Sequence, residues 1–334
     1  MSNLRSDNLP VAPTRRRLIA LAALGLAGGV AGLLCSPRRA QAEQPVQALD
    51  LEWADATRQR PLPVRLYLPA GGTGAAVPLV VFSHGIGGSR LGYRYLGAHW
   101  AAQGYASLHL QHAGSDRSLW GGNVFEIMGR LRDAAQEKEA LARVQDLSFA
   151  LDTLLADPDL APRIDADRIV AAGHSYGANT ALLAAGARVE REGRIVDLRD
   201  PRVVAAIVIS APPFYGDGDP RPILAGVQVP SLHVTATADV INIPGYYSGA
   251  SDRVALFDAL GTKAKWLAVF EGGSHSMFTD RAGSGGVVLN PQVKAATKEL
   301  SLAFLRMVFE GQASDLEAWP RRHASILARF SAAG

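Results

Sequence analysis

The stretch RIVAAGHSYGA at residues 168–178 decides the fold. Strand-formers lead into it, and helix-formers, NTALLAAGA at 179–187, follow it. The chain must therefore turn sharply at Ser175, between two glycines that leave room where strand and helix close on one another. A crowded turn with a serine at its apex is the shape that presents a nucleophile. The same turn would serve simply to end a strand, so residues elsewhere in the sequence have to decide between the two.

Working outward, apolar runs alternate with helical stretches over most of the 334 residues. LPVRLYL at 62–68, ended by Pro69, reads as an early strand. LVVFSHG at 79–85, YASLHLQH at 105–112, VVAAIVISA at 203–211, SLHVTAT at 231–237 and KWLAVFEG at 265–272 read as further strands. Helices are predicted at 91–103, 136–156, after Ser175, at 251–261 and at 292–310. Strands apolar on both faces and separated by helices imply an α/β fold, a mostly parallel central sheet with helices on both faces. Ligands in such sheets bind at the carboxyl ends of the strands. Residues 113–135 are polar and glycine-rich and read as an irregular stretch, the one segment able to cover part of a site. With 48% hydrophobic and 19% charged residues and no internal repeat, residues 43–334 read as one domain.

The first 42 residues differ. Thr14-Arg15-Arg16-Arg17-Leu18-Ile19 is a twin-arginine pattern, followed by an apolar stretch over 18–34 that glycines dilute and that is short for a membrane span. Ala40-Gln41-Ala42 supplies a small-x-small cleavage site. The expectation is an export signal of the twin-arginine route, cleaved after Ala42, delivering the protein to the periplasm or outside the cell. Six arginines and one acid leave with it, so 34 basic and 31 acidic residues become 28 and 30. Basicity therefore belongs to the signal, and neither nucleic acid nor a stably bound membrane is expected as a partner. Cys35 is the only cysteine and departs too, leaving no disulfide and no thiol nucleophile.

Serine needs a base, and the base needs an orienting group. His275 lies in EGGSHSMF, directly after the last apolar strand; a lone loop histidine is ordinarily a surface residue, but this one follows a strand's carboxyl end. Asp239, in TATADVI after the preceding strand, is the acid preferred on position over Asp252 and Asp258, which fall in or near the helix that follows. The order Ser175, Asp239, His275 then suits a nucleophile, its orienting acid and its base. Charge developing on a substrate oxygen calls for two fixed N–H donors. Tyr176, next to the nucleophile, supplies one, and SHGIGGS at 83–89 supplies the other, with Ile86 the candidate. His84 is expected to shape that loop by a hydrogen bond. Trp120, Phe214, Tyr246 and Met277 are candidate pocket residues, together with Phe125, Tyr215 and Tyr247. The eight histidines show no metal-ligand spacing, and no metal or cofactor is expected.

GHSYGA, HGIGG and GGSH together resemble the α/β-hydrolase family over nearly all of residues 60–310, and within it the dienelactone-hydrolase-like esterases and platelet-activating-factor acetylhydrolase-like lipases; HAGSD at 112–116 is similar to them as well. Dienelactone hydrolases proper use cysteine where this chain has Ser175. The resemblance implies a serine hydrolase acting on a small-molecule carboxylic ester, with short-chain or aryl esters favoured because no separate lid domain is inserted. A peptidase or amidase, an acyltransferase, or a non-catalytic binding member of the same fold stay open, as does the oligomeric state.

Overall fold

The computed structural model describes residues 44–71, 74–216, 218–243, 245–281 and 286–333. The export signal read at 1–42, Cys35 included, lies outside them. In chain order come β1 (Val46–Asp55), β2 (Arg60–Pro69), β3 (Val77–Ser83), α1 (Arg94–Ala102), β4 (Ala106–Leu110), α2 (Val124–Ala134), α3 (Glu137–Ala156), β5 (Ile164–His174) and α4 (Tyr176–Ala184). They are followed by the hairpin β6 (Arg188–Arg191) and β7 (Arg194–Asp197), then β8 (Val203–Ile209), α5 (Pro220–Leu224), β9 (Ser231–Ala236), and the hairpin β10 (Ile241–Ile243) and β11 (Tyr246–Ser248). The described residues close with α6 (Ala250–Ala259), β12 (Lys265–Phe270), α7 (Leu289–Glu310), α8 (Ser314–Arg322) and β13 (Leu327–Ala333).

Nine strands form one sheet in the order β1-β2-β4-β3-β5-β8-β9-β12-β13. The six from β4 to β12 are parallel; β2 and β13 run against them at the two sides, and β1 pairs antiparallel with β2 at the outer edge. Because a strand's side chains alternate between faces, the apolar strands feed two cores. On one face Val81, Ala171 and Val208 meet Val144, Leu147 and Leu151 of α3, Leu182 of α4 and Leu256 of α6. On the other, Val80, Phe82, Val170 and Ile207 meet Leu96 and Trp100 of α1, Leu300 and Phe304 of α7 and Trp319 of α8. Trp100 and Trp319 are fully buried; truncating either would cost about 3–5 kcal/mol. Among the described residues no helix is long and apolar enough to cross a membrane.

Three elements depart from the expectation. Residues 113–135 hold a single helical turn at Arg117–Trp120 and then α2 rather than irregular chain. α2 begins with a capping box: Asn123 Oδ1 accepts from the N–H groups of Phe125 and Glu126, and Glu126 accepts from the Asn123 N–H. Its polarity hides it, because only Leu131 and Ala134 are buried and Phe125 is 85% exposed. β1 precedes the first expected strand and pairs with β2 along its whole length, half-burying Leu49, Leu51 and Trp53 in alternation. The chain also continues past α7 into α8 and then β13, which pairs antiparallel with β12.

Candidate active site

The turn after β5 is as crowded as the sequence requires. Ser175 sits at φ 56° and ψ −124°, a strained conformation for a residue with a Cβ, which costs about 1–3 kcal/mol. A Cβ on Gly173 would collide with the Gly177 carbonyl, and one on Gly177 would collide with the Ser83 carbonyl of β3. The Ser175 N–H donates to Ile209 O of β8 at 2.8 Å, tying the apex to the neighbouring strand. Strain at the serine is thus held by glycine packing on both sides of it.

His275 and Asp239 meet Ser175. The serine hydroxyl donates to His275 Nε2 at 2.8 Å, and His275 Nδ1–H donates to Asp239 Oδ1 at 2.7 Å. Asp239 is fully buried, and its other oxygen accepts from the hydroxyls of Ser210 at 2.5 Å and Thr235 at 2.7 Å. Arg253 Nη2 stands 3.4 Å from Oδ1. Burial alone would raise the carboxyl's pKa, but the His275 hydrogen bond and charge, Arg253 and Ser210 outweigh it, and the group is held below its ordinary value. Asp252, by contrast, caps α6 by accepting the Gly249 N–H at 2.8 Å, and Asp258 is exposed.

The loop after β3 holds the second candidate donor. Gly85 N–H points to the Tyr93 hydroxyl at 3.4 Å, Gly87 N–H donates to Ser115 O at 2.8 Å, and Gly88 N–H donates to Gly85 O at 3.0 Å. Within 85–88 that leaves the Ile86 N–H without an acceptor among the described residues. The Tyr176 N–H, first of α4, has no helical acceptor either. Gly85 packs against the Ser175 side chain, since a Cβ there would lie 3.2 Å from Ser175 Cβ. Ile86, Ser175, Tyr176 and His275 line one cavity of about 950 Å³.

Two buried networks hold this arrangement. The first runs through Tyr93 and His174. His174 Nε2–H donates to the His275 carbonyl at 3.0 Å, so Nδ1 accepts from the Tyr93 hydroxyl at 2.8 Å. Burial and the nearby His275 push the His174 pKa down to about 3, which keeps the ring neutral. The second lies beneath the loop. Arg143 of α3, fully buried, donates to His84 O, to Ser115 Oγ at 2.8 Å and to Thr180 Oγ1 at 3.1 Å. Its guanidinium also stacks 4.6 Å from the centre of the Tyr176 ring. Desolvation lowers even this arginine to about 10. His84 donates Nδ1–H to Gly85 O at 2.7 Å and accepts the His112 N–H at Nε2, 3.2 Å away, shaping the loop as expected. His112 pairs with Asp146 at 2.9 Å, and Arg60 spans Asp146 and Glu139 at 2.9 Å each. Nothing in the sequence brings Arg143 to notice, because an arginine inside a long helix ordinarily faces solvent.

The candidate pocket residues divide. Phe214 and Tyr246 line the cavity, as does Tyr215, whose ring meets that of Tyr246 edge-on with centres 5.0 Å apart. Trp120 does not: its indole N–H donates to Gly87 O at 2.8 Å and its ring covers Gly87, which takes φ +71°. It braces the loop from outside. Met277 is also a correction, being fully buried in the core beneath α7 because the single helical turn at His275–Phe278 rotates it inward. Phe125 and Tyr247 are exposed and stand away from the cavity. Among the described residues no three His, Cys, Asp or Glu side chains gather as a metal-binding group.

Fold and site geometry together define an α/β hydrolase. The alpha/beta hydrolase family model matches residues 80–331, three quarters of the chain, and the chain belongs to that family. No curated protein sequence matches it. A structure similar to it is that of a ferulic acid esterase from Streptomyces cinnamoneus, 23% identical, covering 82% of this chain and 93% of that one with a TM-score of 0.60; the likeness is one of fold.

Proposed function

We propose that the protein is an exported serine hydrolase that cleaves carboxylic esters through an acyl-enzyme. One observation carries the reading: Ser175, His275 and Asp239 lie in an unbroken hydrogen-bonded line, at 2.8 and 2.7 Å, with Ser175 and His275 on the wall of a large cavity. Ser175 Oγ attacks the ester carbonyl carbon while its proton passes to His275 Nε2. The oxyanion so formed accepts from the Ile86 and Tyr176 N–H groups. Collapse breaks the ester C–O bond, and the departing alkoxide takes the proton from His275. Water then attacks the acyl-enzyme by the same route, releasing acid and free serine. Asp239 holds the imidazole with Nδ1 protonated and stabilises its positive charge.

Short-chain or aryl esters suit the cavity. Its walls combine apolar side chains with Phe214, Tyr215 and Tyr246, which fit a flat or compact acyl group. The ferulic acid esterase that shares the fold supports aryl esters as the class to try first. The resemblance of GHSYGA, HGIGG and GGSH to the dienelactone-hydrolase-like and platelet-activating-factor acetylhydrolase-like branch supports a small ester, and the twin-arginine pattern at 15–17 supports export to the periplasm or beyond.

The test is hydrolysis of p-nitrophenyl esters, from acetate to long acyl chains, by residues 43–334 and by the Ser175→Ala variant. Turnover by the first protein alone, falling as the chain lengthens, is the expected result. Equal inactivity of both across the series would overturn the reading.

A further inference from the structure

Tyr176, Asn179 and Leu183 stand at i, i+3 and i+7 of α4, one stripe along the helix that begins beside Ser175, and all three line the cavity. Asn179 is only 8% exposed. Its Oδ1 and the Tyr176 hydroxyl are both buried, and neither has a hydrogen-bond partner among the described residues. Buried polar atoms are ordinarily partnered, and two orphans on one helical face of a cavity mark a place where a ligand supplies the bonds. The same cavity has apolar lining from Leu131 of α2, Leu141 of α3, Leu183 of α4 and Val189 of β6.

The chemistry of that ligand follows from what the two atoms can do. An amide oxygen only accepts, whereas a phenol can donate, so a ligand hydroxyl suits either, donating to Asn179 or accepting from Tyr176. A hydroxyl also suits the amide in either orientation. An ion is not called for. The nearest cation, Arg143, is committed to His84 O, Ser115 and Thr180, and Glu137 and Arg191 pair with each other at 2.6 Å. Asn179 lies four residues along α4 from Ser175, about 6 Å at 1.5 Å per residue.

We infer that this arm of the cavity is an acyl-binding site for esters whose apolar acid portion carries one neutral hydroxyl about 6 Å from the scissile carbonyl, such as a 4-hydroxybenzoyl group. The inference rests on the ester-hydrolase reading above and assigns Tyr176 and Asn179 side chains as its specificity determinants. A site built to bond a hydroxyl discriminates against an analogue without it, because its own polar groups are then left unpaired.

The experiment compares methyl 4-hydroxybenzoate with methyl 4-methylbenzoate, which has a methyl in place of the hydroxyl. kcat/KM is measured for the wild type, Asn179→Leu and Tyr176→Phe, and both esters are titrated calorimetrically into Ser175→Ala, which binds without turnover. The wild type should favour the hydroxylated ester by about tenfold or more, with a matching difference in Kd for Ser175→Ala. The kcat/KM ratio should approach one in Asn179→Leu and fall part of the way in Tyr176→Phe, which keeps the ring and serves if the first variant does not fold. A ratio below about twofold in the wild type, or one unchanged in the folded variants, overturns the inference while p-nitrophenyl acetate turnover keeps the hydrolase reading. If no ester is cleaved but Ser175→Ala still prefers the hydroxylated compound, the hydrolase reading fails and the site stands.

Discussion

Of the buried polar groups around Ser175, the one centred on Asp239 and the one centred on Arg143 are built differently. On the β9 side one carboxylate, Asp239, collects His275, two hydroxyls and an arginine, and every contact bears on the ring that faces the serine. On the β4 side Arg143, Glu139, Asp146, Arg60, His84 and His112 make a larger charged cluster that never touches the serine. Its output is the backbone course of residues 84–88. The first network sets a proton's position and the second sets a loop's position. Buried charge in one small region thus orders the ring beside the serine in one place and a loop in another, and the two effects should separate under mutation.

The largest effect belongs to the first network. Asp239→Asn keeps the shape but favours the wrong tautomer of His275, so kcat should fall by about 10⁴, a far larger proportional loss than that of the stability the charge beside Arg253 supplies. Equal losses of activity and stability would show that the aspartate is chiefly structural. Arg143→Met should do the reverse in proportion. Leaving His84 O, Ser115 and Thr180 with fewer partners, and Glu139 and Asp146 with one positive charge fewer nearby, should cost about 3–5 kcal/mol in urea unfolding, and a displaced Ile86 N–H should lower kcat by about 10². If kcat falls without any loss of stability, the cluster is not holding the loop.

Acid should unfold the protein through its histidines before its carboxylates. Burial depresses His109, His112, His174 and His233 to about 3, against 6.5 for a free ring. Below 6.5 the unfolded chain binds protons that the folded one refuses, so stability falls as pH falls, by up to about 1.4 kcal/mol per unit for each ring, until about 3. Asp239, also depressed, adds stability that is lost only below the ordinary carboxylate range. Circular dichroism followed from pH 7 downward should show a cooperative loss between about 6 and 4. Retention of fold to pH 3.5 would contradict it. A milder change comes from Trp120→Phe, which removes the bond to Gly87 O and leaves a smaller aromatic ring; about 1 kcal/mol of stability and a few-fold in kcat should go. Met277→Leu, smallest of all, should cost under about 1.5 kcal/mol and leave the acyl-chain profile where it was, since Met277 fills core rather than pocket.

The elbow was legible because its constraint is local. Gly173, Ser175 and Gly177 lie within five residues, and a strand meeting a helix there leaves no alternative to small neighbours. The inner strands were legible because burial on both faces demands continuous apolar runs. β1 and α2 were harder, for each buries one side only and is read as polar chain; the Asn123-x-x-Glu126 capping box was the signal available for α2. Asp239 and His275 could be ranked by the order of strands, but their approach to Ser175 depends on β5, β8, β9 and β12 lying side by side.

The sequence by itself therefore determined the α/β alternation, the strained serine turn and the candidate donors, since all rest on steric and burial rules acting over a few residues. Only the tertiary structure decided that Arg143 shapes the loop, that Trp120 and Met277 serve packing, and that Tyr176 and Asn179, two residues lining the cavity, carry unpartnered polar atoms. The physical reason is that a side chain's role depends on its partners across the sheet, and helix periodicity leaves open whether a given face meets solvent, core or ligand.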